Sequence, residues 1–162
     1  MSAAKVAPSE ITVRPARRED VRRVATLIML GAANQTMTPA EIEAEAAHPS
    51  YEQSFDEVAA SPDNTLFVAE RNGAVIGTFQ VTIIPGIISR GRKRAKFESV
   101  HVAPECRGMG VGAVMIGFAI DFARSKGAEL VELTSNKARL DAHRFYRNLG
   151  FDQSHEGFKI LV

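Results

Sequence analysis

Six consecutive residues, Arg107-Gly108-Met109-Gly110-Val111-Gly112, combine a cation with glycines at alternate positions. Glycine has no Cβ to forbid positive φ or to keep another molecule off the backbone, so such a run can turn tightly and aim several N–H groups at one anion. Apolar residues then recur at helical spacing, at Val111, Val114, Met115, Phe118 and Phe122, with Arg124 and Lys126 before a stop at Gly127. The pattern predicts a helix whose positive N-terminal end adds to the anion affinity of the loop. A pyrophosphate suits this chemistry.

Spacing separates the nucleotide-binding loops that share it. A P-loop needs Lys followed by Ser or Thr after its last glycine, and Ala113 and Val114 stand there instead. Gly108-x-Gly110-x-x-Ala113 formally meets the dinucleotide fingerprint, but that motif begins directly after a strand. Here Ala103 to Arg107 intervene after Val102, and too little chain follows to finish a doubly wound domain. A glycine-rich turn without a ligand fits the same residues.

The elements that would position this loop alternate along the chain. Ile11 to Arg14 reads as a strand, and Asp20 to Leu30 as a helix with Asp20 as N-cap, Val21, Val24, Leu27 and Ile28 on one face, and Gly31 at its end. Thr38-Pro39 opens a short helix through Ala47, and Ser50 to Ala60 forms another before Ser61-Pro62-Asp63-Asn64 breaks it. Thr65 to Arg71 and Ala74 to Ile84 are β-rich runs joined by Asn72-Gly73, a strong hairpin signal. After the loop Pro85 to Arg94 the pattern predicts a strand ending at Val102, the glycine loop and its helix, and a strand at Leu130. A helix from about Asp141 to Leu149 and a closing pair of strands around Phe151 and Phe158 complete the reading.

Composition agrees with a single compact domain over residues 11–162, preceded by a flexible N-terminus over 1–10. The chain of 162 residues is 45% hydrophobic and 24% charged, enough to bury one substantial core. A net charge of +1 argues against bulk nucleic-acid binding, and no apolar run approaches the ~20 residues that cross a bilayer. Met1 to Glu10 lacks an apolar signal-peptide core, so a soluble, cytoplasmic protein is expected. Cys106 is the only cysteine, which leaves no internal disulfide and no cysteine-rich metal site, and no metal is expected.

Taken together, four features of the C-terminal half resemble the GNAT superfamily of acyl-CoA N-acyltransferases. They are the strand Phe97 to Val102 leading into Pro104, the set Arg107, Gly110 and Gly112, the strand Leu130 to Thr134 ending in Ser135-Asn136, and Phe145-Tyr146-Arg147-Asn148-Leu149-Gly150-Phe151. The opening Ile11 to Ala16 with Asp20 is similar to that family's first strand and turn, so the resemblance spans nearly the whole chain, least informatively over residues 31–64. It implies an α/β (α+β) fold: a central mixed, mostly antiparallel sheet with one parallel, splayed strand pair and flanking helices. It also implies acetyl-CoA as co-substrate, a homodimer, and cofactor contacts from Val100, Val102, Arg107, Gly108, Met109, Gly110, Val111, Gly112 and Asn136. Val100 and Val102 serve equally well as core residues, since the contact implied is through their backbone.

N-acetyl transfer by direct attack through a tetrahedral intermediate requires a neutral amine, whereas an alkylammonium has a pKa near ~10. Glu98 is the candidate base, because period-two alternation places it on one face with Val100 and Val102 and puts His101 on the other. An ion pair with Lys96 or Arg94 is an equally good use of that carboxylate. Backbone N–H near Val102 would stabilise the oxyanion. Tyr146 is the candidate acid that returns a proton to the departing thiolate, with a buried core tyrosine as the alternative.

Within the superfamily, Glu132 to Asn136, Asp141 to Tyr146 and Gln153-Ser154-His155 resemble aminoalkylphosphonate N-acetyltransferases, which points to a small amine acceptor. The histidine-rich middle strands of those enzymes are not matched over Phe79 to Ile88. Arg90, Arg92, Lys93, Arg94 and Lys96 could meet an anion or form a solvated loop, and they lack the interleaved aromatics of a nucleic-acid site. A non-catalytic acyl-CoA-binding module and an acetyltransferase of peptide or protein amines remain as alternative readings.

Overall fold

The computed structural model describes residues 5–162. Its centre is a five-stranded sheet in the order β1 (Thr12–Pro15), β2 (Asn64–Arg71), β3 (Ala74–Ile84), β4 (Arg94–Val102), β5 (Leu130–Leu133). The first four strands are mutually antiparallel, and β4 and β5 run parallel, as expected. Asn72 and Gly73 close the β2–β3 hairpin with φ of 52° and 78°, the left-handed geometry that Asn-Gly accepts at little cost. Between β1 and β2 lie α1 (Val21–Leu30), α2 (Pro39–Ala46) and α3 (Pro49–Ala60). Thr38 caps α2 reciprocally with Glu41, and Pro39 and Pro49 occupy the N-terminal positions that need no N–H donor. A short turn, α4 (Ile88–Gly91), links β3 to β4, while α5 (Val111–Ser125) crosses from β4 to β5 and α6 (Leu140–Asn148) follows β5.

Both faces of the sheet are covered, which is why successive residues such as Phe67, Val68 and Ala69 are all buried. On one face Phe67 stacks on Phe79 and meets Phe118 and Phe122 of α5 edge-on, at 5.3 and 4.9 Å between centroids. Gly77 of β3 lies against Met115 of α5 on that same face, and a Cβ there would stand 2.5 Å from the Met115 sulfur. The opposite face receives the end of α1, where a Cβ on Gly31 would lie 1.9 Å from Nδ1 of His101.

Asp20 stands at the N-cap position of α1, as expected, but its side chain makes no capping bond to that helix. Its backbone is already helical and its carboxylate turns back to accept the Arg17 N–H at 2.7 Å and two bonds from the Arg14 guanidinium at 2.7 and 3.1 Å. A bidentate arginine across the turn outweighs a single capping bond. The closing strands expected around Phe151 and Phe158 are absent among the described residues. Gly150, at φ 91°, turns the chain out of α6, and the Phe151 N–H returns to the Tyr146 carbonyl at 3.1 Å, so Phe151 completes a helix stop instead of starting a strand. Beyond it Phe158, Ile160 and Leu161 are largely exposed.

Residues 1–4 of the segment expected to be flexible lie outside the described residues. Val6 is buried and donates its N–H to the Met109 carbonyl at 3.0 Å, and Pro8–Glu10 form a single 3-10 turn. Val6 is therefore held against the glycine loop.

Candidate functional site

Parallel pairing of β4 with β5 runs from Arg94↔Leu130 to Phe97↔Leu133 and stops there. β4 continues to Val102 while the chain after Leu133 turns away, so Glu98 to Val102 have no strand partner on that side. The two strands enclose a cleft of about 370 Å³ between Phe97–His101 and Leu133–Asn136, with Gly31, Arg139, Tyr146 and Lys159 completing its wall. Of the residues singled out in the sequence, the cleft gathers Glu98, Val100, Asn136 and Tyr146. Val102 and the run Arg107 to Gly112 stand outside its lining.

The glycine loop lies between β4 and α5. Gly108 and Gly110 have φ of 75° and 91°, a conformation that favours glycine, with open space where a Cβ would project. Among the described residues, no hydrogen bond engages the amides of Gly108, Met109, Gly110, Val111 or Gly112, whereas Ala113 and Val114 already bond back to Gly110. Successive free donors at a helix N-terminus match an anion of diphosphate size. Gly112 serves differently: a Cβ on it would meet Cζ of Phe145 at 3.0 Å, so its smallness lets α6 pack against the start of α5. Arg107 also departs from its expected posture. Its guanidinium donates to the carbonyls of Val102 and Leu30 at 3.1 and 3.2 Å, tying the end of β4 to the end of α1.

Glu98 does not share a face with Val100 and Val102. It pairs across the sheet with Gln80 and His101 pairs with Thr78, so two intervening residues of β4 oppose only Phe79. Ser99, at φ 51°, carries this bulge. Alternation resumes one residue out of step, which puts His101 on the face of Glu98 and in the cleft. The Glu98 carboxylate pairs with Lys96 at 3.0 Å and stays 44% exposed at the cleft wall, so it can reach both a cation and a ligand. His101 packs on the Gly31 backbone, and burial, with the Arg139 and Arg107 charges, pushes its imidazole down to about 4. It is neutral at physiological pH.

Tyr146 projects from α6 between Phe145 and Phe151, with ring centroids 5.1 and 5.8 Å away. Burial raises its pKa and the Arg139 charge opposes that rise, leaving a phenol that keeps its proton. No hydrogen bond among the described residues engages its hydroxyl. Asn136 shapes the other wall: its Oδ1 accepts the Ala138 N–H at 2.9 Å and its carbonyl meets the Arg139 N–H and the His143 ring. This turn sets the entry to α6 and leaves the Asn136 amide nitrogen free to donate.

His101 and Arg139 are the site residues that sequence reasoning misplaced or missed. For His101 the bulge at Ser99 has no local signature, and for Arg139 only its place just before α6, three residues after Asn136, pointed toward the cleft. No three His, Cys, Asp or Glu side chains gather to hold a metal among the described residues, and no helix is long and apolar enough to cross a membrane.

The Acetyltransferase (GNAT) family model matches residues 32–151. An aminoalkylphosphonate N-acetyltransferase of Salmonella typhimurium is 32% identical over 68% of this chain and 71% of its own length. Among solved structures, one from Bacillus halodurans C-125 described as a transcriptional regulator superposes with a TM-score of 0.85 at 32% identity, covering 94% of this chain and 99% of that one. A putative acetyltransferase of Agrobacterium tumefaciens str. C58 gives 0.76 at 27% identity over 93% and 99%.

Proposed function

The chain belongs to the acetyltransferase (GNAT) family, whose co-substrate is acetyl-CoA, and on that premise we propose that it acetylates the primary amine of a small molecule. The observation that carries this reading is the continuity of an unpaired strand edge, Glu98 to Val102, with the free amides of Gly108 to Gly112. An extended arm fits along the first and a diphosphate on the second, which is the shape of an acyl-coenzyme A. The named activity of the Salmonella relative supports a small amine over a protein.

Each residue then has a task set by its place. Backbone groups of β4 beyond Phe97 align the arm so that its thioester end lies in the cleft. Glu98, held by Lys96, takes the proton that the attacking amine must lose. As the N–C bond forms and the C–S bond breaks, the Tyr146 hydroxyl, kept protonated by burial, gives its proton to the departing sulfur, and solvent returns a proton to the phenolate before the next turnover. His101, uncharged, supplies a hydrogen-bonding edge to the acceptor without drawing the proton away from it.

Thiol release from acetyl-CoA, screened against small primary amines and lysine peptides, tests the reading directly. Turnover with small amines and none with peptides is expected. Coenzyme binding measured by calorimetry without thiol release from any amine would support a binding module in its place.

A further inference from the structure

Charges lining the cleft do not balance. Among the described residues its only carboxylate, Glu98, is taken by Lys96, and nearby cations are likewise engaged: Arg94 pairs with Glu132 at 3.2 Å and Arg107 with two carbonyls. Arg139 is the exception. It is half-buried at the entry to α6 and lines the cleft, yet among the described residues neither a carboxylate nor a carbonyl meets its guanidinium. Lys159, exposed on the C-terminal segment, lines the same wall as a second cation without an acidic partner among the described residues.

Holding a guanidinium partly out of water without a counter-charge costs free energy that a bound anion would return. From this imbalance we infer that the acceptor carries an acidic group besides its amine, and that Arg139, aided by Lys159, binds that group at the cleft wall. The inference rests on the acetyl-transfer reading and names the substrate class for it. The planar fork of arginine matches the oxygens of a phosphate, phosphonate or carboxylate in pairs, whereas the lysine adds a point charge. The charge of Arg139 is felt by both His101 and Tyr146, which places its head among the groups that would surround the acceptor. The diphosphate of the coenzyme has its own donors in Gly108 to Gly112 and does not require this cation.

The test compares kcat/KM for O-phosphoethanolamine and β-alanine with that for ethanolamine and propylamine. The anionic amines are expected to be preferred at least ~30-fold, and Arg139→Gln to cut that preference about 10-fold, on the scale of one charge-assisted pair. Arg139→Lys should keep part of it, and Lys159→Met should lower it less. A structural role for Arg139 would lower all four amines together and leave the ratio unmoved, which would overturn the inference. So would a rise in the acetyl-CoA KM without loss of preference, since the cation would then serve the coenzyme. Turnover that favours the neutral amines removes the anion site and leaves acetyl transfer standing, whereas no turnover with any amine removes both. Should Arg139→Gln fail to fold, Arg139→Lys and Lys159→Met still read the ratio.

Discussion

Glu98 and His101 lie on the same face of β4 although two residues, an even number, stand between them, because Ser99 and Val100 together oppose the single residue Phe79. The bulge brings a carboxylate and a neutral imidazole to one cleft and places His101 against the backbone of Gly31.

The burial of His101 makes stability depend on pH. An unfolded chain binds the imidazole proton near 6.5 and the folded chain only near 4, so between these values the unfolded state holds more protons and stability falls as the pH falls. The contribution is whole above 6.5 and is lost progressively toward 4. Allowing for partial exposure, the loss should be on the order of 2 kcal/mol. Urea midpoints at about pH 7 and about pH 4.5 should differ more for the wild type than for His101→Gln; equal pH dependence in the two would refute the assignment.

Tyr146→Phe should lower turnover by roughly 10²-fold with little change in the affinity for acetyl-CoA, the usual scale for loss of a general acid. Single-turnover thiol release and a coenzyme titration measure the two quantities separately. Unchanged turnover would remove the tyrosine from the chemistry.

Gly110 and Gly112 should respond differently to alanine. At Gly110 the methyl meets no protein atom, but φ of 91° strains any L-residue by about 1–2 kcal/mol and the side chain enters the space before the free amides. Gly110→Ala should therefore raise the Kd for acetyl-CoA about 10-fold, the loss of roughly one hydrogen bond to a charged group. Gly112→Ala pushes instead on Phe145, whose neighbour in the chain is Tyr146. It should reduce kcat more than affinity, with Phe145→Leu restoring part of the loss. Matching effects of the two alanines on Kd would contradict this division.

Asp20→Ala should destabilise the fold by about 3 kcal/mol, because it strips two hydrogen bonds from a half-buried Arg14 and one from the Arg17 amide. Glu70, 2.9 Å from Arg14, limits the damage. A shift in denaturation midpoint of less than a third of that size would show that the Glu70 pair suffices.

Much of this molecule is legible in its residues. The Asn72-Gly73 hairpin, the stop of α5 at Gly127 and the glycine loop before Val111 each depend on a local backbone requirement that few residue types meet, and all three stand where their chemistry puts them. The mostly antiparallel sheet with one splayed parallel pair agrees with the family resemblance. Tertiary demands hid the rest. The bulge at Ser99 is fixed by its register with β3, not by β4 alone. Gly112 looks like part of an anion loop until Phe145 is seen above it, and Phe151 looks like a strand residue until its N–H is found closing α6. Arg139 carries no motif of its own, and only its lack of a counter-charge in three dimensions draws notice.

The parting of β4 and β5 after Phe97 has an evolutionary corollary. On the reading proposed above, the guest is held by peptide groups of Glu98 to Val102, so a change of the Val100 side chain need not loosen the grip. Selectivity for the nucleophile can then be rewritten at positions such as Arg139 and Lys159 without touching the handle by which the donor is carried.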